Sequence, residues 1–411
     1  MVTFEFQHTW LDTTMNCIFF DDSTRTSLLP LTFTRPVAEI RIGILTIREK
    51  WQHHLNGATF SWLAEPYLSE KFPKKVAAEN LLINGSILPN EKLVAEIMEL
   101  PINAKLINAG VTVAIRVSAD HLESINSIDH LVVEKSLSST AALHQLTHPW
   151  DIFSKNEVAI REDFALVTAG RLSAKLSSSN QIVGDGAVFL EDGAKVECSI
   201  LNTTTGPIYI GKDAEVMEGC LIRGPFSLGT HAQLKMGAKI YGATTIGPEC
   251  RVGGEVNNAV LFGYSNKAHD GFLGNAVIGE WCNLGADSNN SNLKNNYSSV
   301  KVWSYQEESY INTGLQFCGL IMGDHSKCSI NTMFNTGTVV GVGANIFGTG
   351  FPPKFIPSFS WGGSEGFTTY RMEEAIEVAQ RVFERRKMKF DSSEQSIFRH
   401  LFEITTKYRA W

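Results

Sequence analysis

Aliphatic residues recur at every sixth position over a long central stretch of this 411-residue chain. Eight consecutive positions keep this spacing: Ile210, Val216, Ile222, Leu228, Leu234, Ile240, Ile246 and Val252. The phase returns at Phe272, Ile278 and Leu284, and again at Met322, Cys328, Phe334, Val340 and Ile346. A six-residue period is typical of a parallel β-helix built from hexapeptide turns, and it fits neither an α-helix nor an ordinary strand. We expect three hexads to form one triangular coil.

The other hexad positions agree with this architecture. The residue after the aliphatic one is often glycine, and the fourth residue after it is usually small. A narrow prism leaves little volume beside each inward side chain, and glycine helps to turn the corner. The seven cysteines include no C-x-x-C pair, and four of them fall on inward or small hexad positions. They therefore indicate buried thiols in a reducing compartment, without disulfides or zinc ligation.

Composition narrows the classes of partner. The formal net charge is −7, with 43 acidic and 36 basic residues, which argues against a general nucleic-acid or anionic-membrane binder. The sequence shows neither a long apolar run of membrane-spanning length nor a signal-peptide pattern. We expect a cytoplasmic protein.

Three regions follow from the patterns. Residues 1–180 mix apolar strands (16–20, 80–83 and 131–134) with a helix at 91–99, which predicts an α/β domain, and residues 1–14 look like an extension. Residues 181–352 form the β-helix. Residues 353–411 form a tail. Within the tail, a helix over 369–390 is predicted by apolar residues at helical spacing: Met372, Ala375, Ile376, Ala379, Val382 and Phe383.

The hexad phase is interrupted twice, at 253–271 and at 286–297. Polar departures from a strong repeat predict functional loops. The first interruption contains His269, whose imidazole is a candidate general base. Asparagine side chains suit sugar hydroxyls, and lysine suits phosphate. A structural role for a lone histidine remains the alternative. A zinc site would need His231, His269 and His325 to converge, although they lie far apart in sequence.

Residues 255–283, and above all 265–274 (SNKAHDGFLG), resemble the bifunctional bacterial and archaeal enzymes that acetylate glucosamine-1-phosphate and uridylylate sugar-1-phosphates. The resemblance implies a left-handed β-helix acyltransferase with acetyl-CoA as co-substrate and UDP-N-acetylglucosamine-type products. It also implies a homotrimer, with sites between adjacent β-helices. His269 matches the acetyl-transfer base. Further candidates for acyl or sugar-phosphate binding are Asn257, Lys267, Asn283, Asn292 and Lys294. Asn257 and Phe272 replace a family lysine and tyrosine, so the acceptor sugar stays open.

Residues 20–36 (FDDSTRTSLLPLTFTRP) and 46–51 (TIREKW) resemble a divergent sugar nucleotidyltransferase-like group with a Rossmann-like α/β domain. This implies binding of a nucleoside triphosphate and a sugar-1-phosphate, with Arg25 and Arg35 on the nucleotide. The family's Gly-rich phosphate loop is absent. Asp21 and Asp22 are then candidate Mg²⁺ ligands, because Ser86 stands where the family has an aspartate. The alternatives are an acyltransferase with a degenerate N-terminal domain and a non-catalytic trimeric scaffold.

Overall fold

The computed structural model of the chain describes residues 15–122, 125 and 127–411, so the predicted extension at 1–14 lies outside the described residues. None of its helices is both long and apolar enough to traverse a lipid bilayer, as far as these residues go.

The N-terminal domain is built on a six-stranded mixed sheet with strand order β2-β1-β3-β6-β5-β7. The first strand is buried at all five positions and pairs in parallel with β2 and β3, whereas β6 runs antiparallel to β3 and β5. A short β4–β8 ladder lies outside this sheet. The strands are β1 (Asn16–Phe20), β2 (Thr59–Leu63), β3 (Glu79–Asn84), β4 (Ile87–Leu88), β5 (Ala104–Asn108), β6 (Val111–Ser118), β7 (Lys135–Ser138) and β8 (His144–Gln145).

The domain also contains five helices, of which the last two contact strands of the β-helix. They are α1 (Thr24–Ser27), α2 (Ile47–His54), α3 (Glu91–Met98), α4 (Pro149–Ser154) and α5 (Asn156–Thr168). Helix α2 starts at a capping box in which Thr46 and Glu49 satisfy each other's backbone N–H groups. The predicted strands at 16–20 and 80–83 and the predicted helix at 91–99 are confirmed. The predicted strand at 131–134 is wrong, because the nearest strand begins at Lys135.

The central region is a parallel β-helix with three faces. The first face contains β9 (Gln181–Val183), β12 (Ile200–Asn202), β15 (Leu221–Arg223), β18 (Lys239–Tyr241), β21 (Glu255–Asn257) and β24 (Phe272–Gly274). The second contains β10 (Val188–Leu190), β13 (Ile208–Ile210), β16 (Phe226–Leu228), β19 (Thr244–Ile246), β22 (Val260–Gly263), β25 (Val277–Glu280), β30 (Leu320–Met322), β33 (Thr338–Val340) and β35 (Phe355–Ile356).

The third face contains β11 (Lys195–Val196), β14 (Glu215–Val216), β17 (Gln233–Leu234), β20 (Arg251–Val252), β23 (Asn266–Lys267), β26 (Asn283–Leu284), β31 (Lys327–Cys328), β34 (Asn345–Ile346) and β36 (Ser360–Gly363), closed by the antiparallel β37 (Gly366–Thr369). The aliphatic hexad residues fill the interior as predicted, including Ile210, Leu228, Ile246 and Val340. Strands continue to Gly363, so the β-helix extends about ten residues beyond the predicted boundary at 352.

The first predicted loop is instead a regular coil. Strands β21, β22 and β23 pair in register with the coils before and after them. The corners of this coil are shorter than usual. The shortening shifts the phase: Leu273, and not Phe272, is the inward residue of β24. The interruption of the hexad pattern therefore marks a change in coil length.

The second interruption is a true excursion. Strands β27 (Asn289–Asn290) and β32 (Met333–Phe334) pair with each other, and the chain between them carries the hairpin of β28 (Lys301–Ser304) and β29 (Ser309–Asn312). The side chains of Asn289 and Asn290 make hydrogen bonds to the backbone of the preceding coil, as peptide groups do elsewhere in the β-helix. Asn289 Oδ1 accepts from the Phe272 N–H, and Asn290 both accepts from and donates to the Gly274 backbone.

The C-terminal tail forms two helices, α6 (Met372–Glu384) and α7 (Ser392–Ile404). The apolar stripe predicted in the tail lies on α6, whereas α7 was not predicted. Phe383, Phe390 and Phe398 surround the buried His325. Helix α7 also reaches the N-terminal domain, where His400 stacks on Tyr67 and Glu394 pairs with Lys71. The two helices therefore fasten both domains together.

Candidate functional site

The loop after β1 turns back on itself. The Asp22 carboxylate accepts from Thr24 N–H (2.9 Å) and from the Thr24 hydroxyl (2.5 Å) through Oδ1, and from Asn84 Nδ2 (2.8 Å) through Oδ2. The Asn84 side chain in turn accepts from both the backbone N–H and the hydroxyl of Ser86. These bonds join the carboxyl ends of β1 and β3, where the sequence predicts the nucleotide phosphates.

The Asp21 side chain lies beside Arg25 and is 8% exposed. Its Oδ1 accepts from the Val37 N–H (3.0 Å), and its Oδ2 lies 3.7 Å from Arg25 Nε without a hydrogen bond. Burial raises the pKa of Asp21 to about 7, although the positive charge of Arg25 opposes the shift. Arg25 donates to Tyr67 Oη (2.6 Å) and to the Thr32 carbonyl (3.2 Å). Its guanidinium is therefore held by the protein itself.

Arg35 is an inter-domain residue. Its guanidinium makes a buried ion pair with Asp324 of the β-helix and a second pair with Glu280 at 3.3 Å. Thr34 also donates to Asp324 (2.6 Å), and residues 30–38 are all buried. In this conformation Arg35 anchors the loop to the second face of the β-helix, and its contact with a nucleotide stays a prediction.

Asp21 and Asp22 do not fit a magnesium site. Three of their four carboxylate oxygens already accept hydrogen bonds, and the fourth faces a guanidinium. Mg²⁺ needs several accessible oxygen ligands in near-octahedral geometry. Over the described residues, no group of three or more His, Cys, Asp or Glu side chains is arranged to hold a metal ion. This arrangement therefore gives no support to the predicted metal role of the pair, which stays a prediction.

On the third face, His269 and Asn283 line one cavity of about 440 Å³. His269 is exposed at the corner that follows β23, and Asn283 is an exposed outward residue of β26. The cavity is completed by Lys235, Arg251, Asn266, Ala268, Leu284, Gly285, Ala286, Ile330 and Arg385. The structure thus brings together two of the predicted acyl-transfer residues, with three cationic side chains around them.

Lys267 points into the β-helix. It stacks on Val252 in the interior, is 1% exposed, and donates through Nζ to the carbonyls of Gly253 (3.0 Å) and His269 (2.6 Å). Burial lowers the pKa of Lys267 to about 8. The ammonium group of Lys267 holds the turn that carries His269, and its predicted role in acyl or sugar-phosphate binding stays a prediction.

The other predicted binding residues lie elsewhere. Asn257 lies on the first face, in a cavity of about 990 Å³ between that face and α5. Asn292 donates to Asn275 Oδ1 (2.8 Å) at the start of the excursion. Lys294 donates to the Ser299 carbonyl (2.6 Å) within the excursion. Within one chain, these three residues do not share a cavity with His269.

A second cavity, of about 510 Å³, separates the third face from the end of α6. Of its lining residues, the sequence predicted only Asn283 as a binding residue. The full lining is Arg251, Tyr264, Asn266, Trp281, Cys282, Asn283, Lys327, Val382, Arg385 and Arg386. One signal was available, because Arg251, Asn266, Asn283 and Lys327 each precede an inward residue and so occupy outward positions on successive coils.

The N-terminal domain and the β-helix are each similar to known proteins. Residues 17–172 match the family model described as "Sugar nucleotidyl transferase". The N-terminal domain is therefore similar in sequence to sugar nucleotidyl transferases. The mixed sheet and its flanking helices belong to this matched segment, and so does the loop that carries Asp21, Asp22, Arg25 and Arg35. The N-terminal domain thus matches the family's sequence pattern, while its loop is folded against the β-helix.

Two curated relatives extend the similarity into the β-helix. The chain is 24% identical over 279 residues to a bifunctional protein GlmU of Methanococcus aeolicus, covering 63% of this chain and 61% of the relative. It is also 24% identical to a bifunctional sugar-1-phosphate nucleotidylyltransferase/acetyltransferase of Sulfurisphaera tokodaii, covering 64% and 63%. The matched region thus spans about three fifths of these relatives. An Arabidopsis UDP-N-acetylglucosamine acyltransferase structure overlaps 52% of this chain and 80% of its own, at 13% identity and a TM-score of 0.28.

Proposed function

We propose that this protein works in sugar-nucleotide biosynthesis, transferring an acetyl group from acetyl-CoA to the amine of an amino-sugar phosphate. The observation that carries the proposal is the shared cavity of His269 and Asn283 on the third face. The bifunctional names of the matched relatives support the same chemistry. A solvent-accessible imidazole in a cavity lined by cations and amides suits a reaction between an anionic acceptor and a thioester.

In the proposed reaction the acceptor amine attacks the thioester carbonyl, forming a C–N bond and then breaking the C–S bond. His269 accepts the proton that the amine loses, and the sulfur leaves as coenzyme A thiol after protonation. The side-chain amides of Asn283 and Asn266 supply hydrogen bonds to sugar hydroxyls or to the acyl carbonyl. A positioned base typically contributes about 10²- to 10⁴-fold to such a step.

We further propose that the active assembly is a homotrimer. Asn257 lies on the first face and His269 opens on the third, so contact between two copies can bring them into one site. The outer side of the first face carries partly exposed apolar residues, Ile200 (38%), Leu221 (48%) and Tyr241 (37%), which suits contact with another chain.

Nucleotidyl transfer is the second candidate activity, favoured by the family match of residues 17–172. It would require the loop to release Arg35 from Asp324 and to open the bonds between Asp22 and Asn84. An incubation of the protein with UTP and a sugar-1-phosphate, with and without Mg²⁺, tests this activity through pyrophosphate release. No release in either condition would leave acetyl transfer alone and favour a degenerate N-terminal domain.

The principal test is thiol release from acetyl-CoA in the presence of glucosamine-1-phosphate and related amino-sugar phosphates. His269→Ala should lower kcat by about 10²- to 10⁴-fold with little change in acetyl-CoA affinity. His231→Ala is the matched control, because His231 is another corner histidine that lies outside the cavity. Wild-type turnover in His269→Ala would remove this histidine from the mechanism. An absence of turnover with every acceptor would favour the non-catalytic scaffold.

A further inference from the structure

The cavity between the third face and α6 adjoins the cavity of His269. Arg251, Asn266, Asn283 and Arg385 line both, so the two form one continuous groove along the β-helix. Helix α6 supplies one wall of the groove through Val382, and the residues just after its end supply the rest. Helix α6 and the residues just after it therefore form a wall of the groove as well as packing on the core.

The groove is strongly cationic. Five basic side chains line it, namely Lys235, Arg251, Lys327, Arg385 and Arg386, and none of its lining residues is acidic. This clustering runs against the composition, because acidic residues outnumber basic ones in the chain. Outside the groove, Glu249 pairs with Arg386 (2.8 Å) and lies 3.8 Å from Arg251. The charges of Lys327 and Arg385 have no ion pair among the described residues.

Two aromatic side chains, Tyr264 and Trp281, line the same cavity. Tyr264 and Trp281 stack with their ring centroids 4.1 Å apart, and Trp281 is fixed from its other side by Phe383 of α6 (4.0 Å). Trp281 is buried, whereas Tyr264 is partly exposed and lines the cavity. A planar ring stacks favourably on such a platform whatever its base identity. The volume of about 510 Å³ lies in the ordinary range of ligand pockets.

We propose that this cavity binds a nucleotide, with its phosphates on Lys327 and Arg385 and its ring against Tyr264. The proposal rests on the acetyl transfer proposed above, because it places a nucleotide-bearing substrate next to His269. Two substrates carry that chemistry: the 3′,5′-ADP portion of the acyl donor and the nucleoside diphosphate of a nucleotide-activated amino sugar. Arginine and lysine bind phosphate through charge-assisted hydrogen bonds, and arginine can do so with two N–H groups at once.

Calorimetric titration of the full-length protein with 3′,5′-ADP, UDP and inorganic phosphate tests the site without any turnover. We expect saturable binding of at least one nucleotide, weakened about tenfold in Arg385→Ala, which corresponds to about 1.4 kcal/mol. Arg381→Ala is the matched control, because Arg381 lies one turn earlier, outside the cavity, and pairs with Glu377 on the surface. Tighter binding of 3′,5′-ADP would assign the acyl donor, and tighter binding of UDP would assign a nucleotide-activated acceptor.

Several results would overturn the nucleotide site. These are the absence of saturable binding, binding of phosphate as tight as that of both nucleotides, or equal weakening by Arg385→Ala and Arg381→Ala. The outcome is separable from that of acetyl transfer. Nucleotide binding that depends on Arg385, in a protein that never releases thiol, would support the site and refute the acetyl transfer. The opposite result would be turnover that depends on His269, an unchanged KM in Arg385→Ala and no nucleotide binding. It would support the acetyl transfer and refute the nucleotide site.

Discussion

Arg35 and Asp324 form a buried ion pair that joins the loop after the first strand to the β-helix. The two residues are 289 positions apart in the sequence. Asp324 also accepts from Thr34 and from the Glu280 backbone, so one carboxylate holds groups from both domains. This cluster occupies the loop in which the sequence predicts triphosphate binding.

Asp324→Asn should destabilise the contact between the two domains, because it leaves the buried charge of Arg35 with only Glu280 to compensate it. Removing one partner of a buried pair typically costs about 3–5 kcal/mol. Thermal unfolding followed by limited proteolysis of the loop measures the effect. Glu377→Gln, which breaks an exposed pair with Arg381, is the control and should cost under about 1 kcal/mol. Equal unfolding temperatures for the two variants would refute the anchoring role.

The hexad pattern predicted the β-helix and its interior well, because inward volume is a local constraint repeated at a fixed interval. It failed where coils shorten, since Leu273 replaces Phe272 as the inward residue once a corner loses residues. Contacts such as Arg35–Asp324 leave no local pattern. The match to the family's motifs predicted ligand contacts for Arg35 and Lys267, because a motif records only residue types. Both side chains are buried in the structure, and burial depends on packing between distant segments.

Lys267→Met should lower kcat about tenfold while leaving the KM for acetyl-CoA unchanged. Methionine fills the interior but cannot donate to the Gly253 and His269 carbonyls, so the turn that carries the base loosens. Lys195→Met, at an exposed position on the same face, is the control. The decisive comparison is made in a His269→Ala background, where Lys267→Met should have no further effect on kcat. A lower unfolding temperature with unchanged kcat would mean that Lys267 is only a packing residue.

Asp21→Asn and Asp22→Asn should change stability in opposite directions. The pKa of Asp21 is about 7 in the folded protein against an ordinary 3.8, so between these values the folded state holds the extra proton and stability falls as pH rises. Asp21→Asn should therefore stabilise the protein above pH 7, by at most about 4 kcal/mol, and match wild type near pH 4. Asp22→Asn should destabilise at both pH values, because its amide would face the Asn84 donor.

Urea unfolding of both variants and of wild type at pH 4 and pH 8 measures these differences. A stabilising effect of Asp21→Asn that is the same at both pH values would contradict titration of Asp21 as its cause. Stabilisation by Asp22→Asn would contradict the hydrogen bonds that fold the loop on itself.

Nucleotide binding should take up a proton above pH 8. Burial lowers the pKa of Lys327 to about 8, so part of the population is neutral there, and a bound phosphate would restore its charge. Burial raises the pKa of Tyr264, which lines the same cavity, so its hydroxyl does not contribute. Calorimetry in two buffers of different ionisation enthalpy should show uptake of roughly three quarters of a proton at pH 8.5. The same uptake in Lys327→Met would assign it to another group.

Helix α6 is synthesised late, because it follows the β-helix in the chain. Residues 372–384 follow the whole β-helix, so a growing polypeptide completes every coil before the wall that faces Tyr264 and Trp281 can be added. Until then the aromatic pair and the outward arginine of β20 face solvent. The groove is thus a product of late synthesis. A nascent chain that stops short of α6 has the stacked coils and His269 but lacks the surface that closes over a nucleotide.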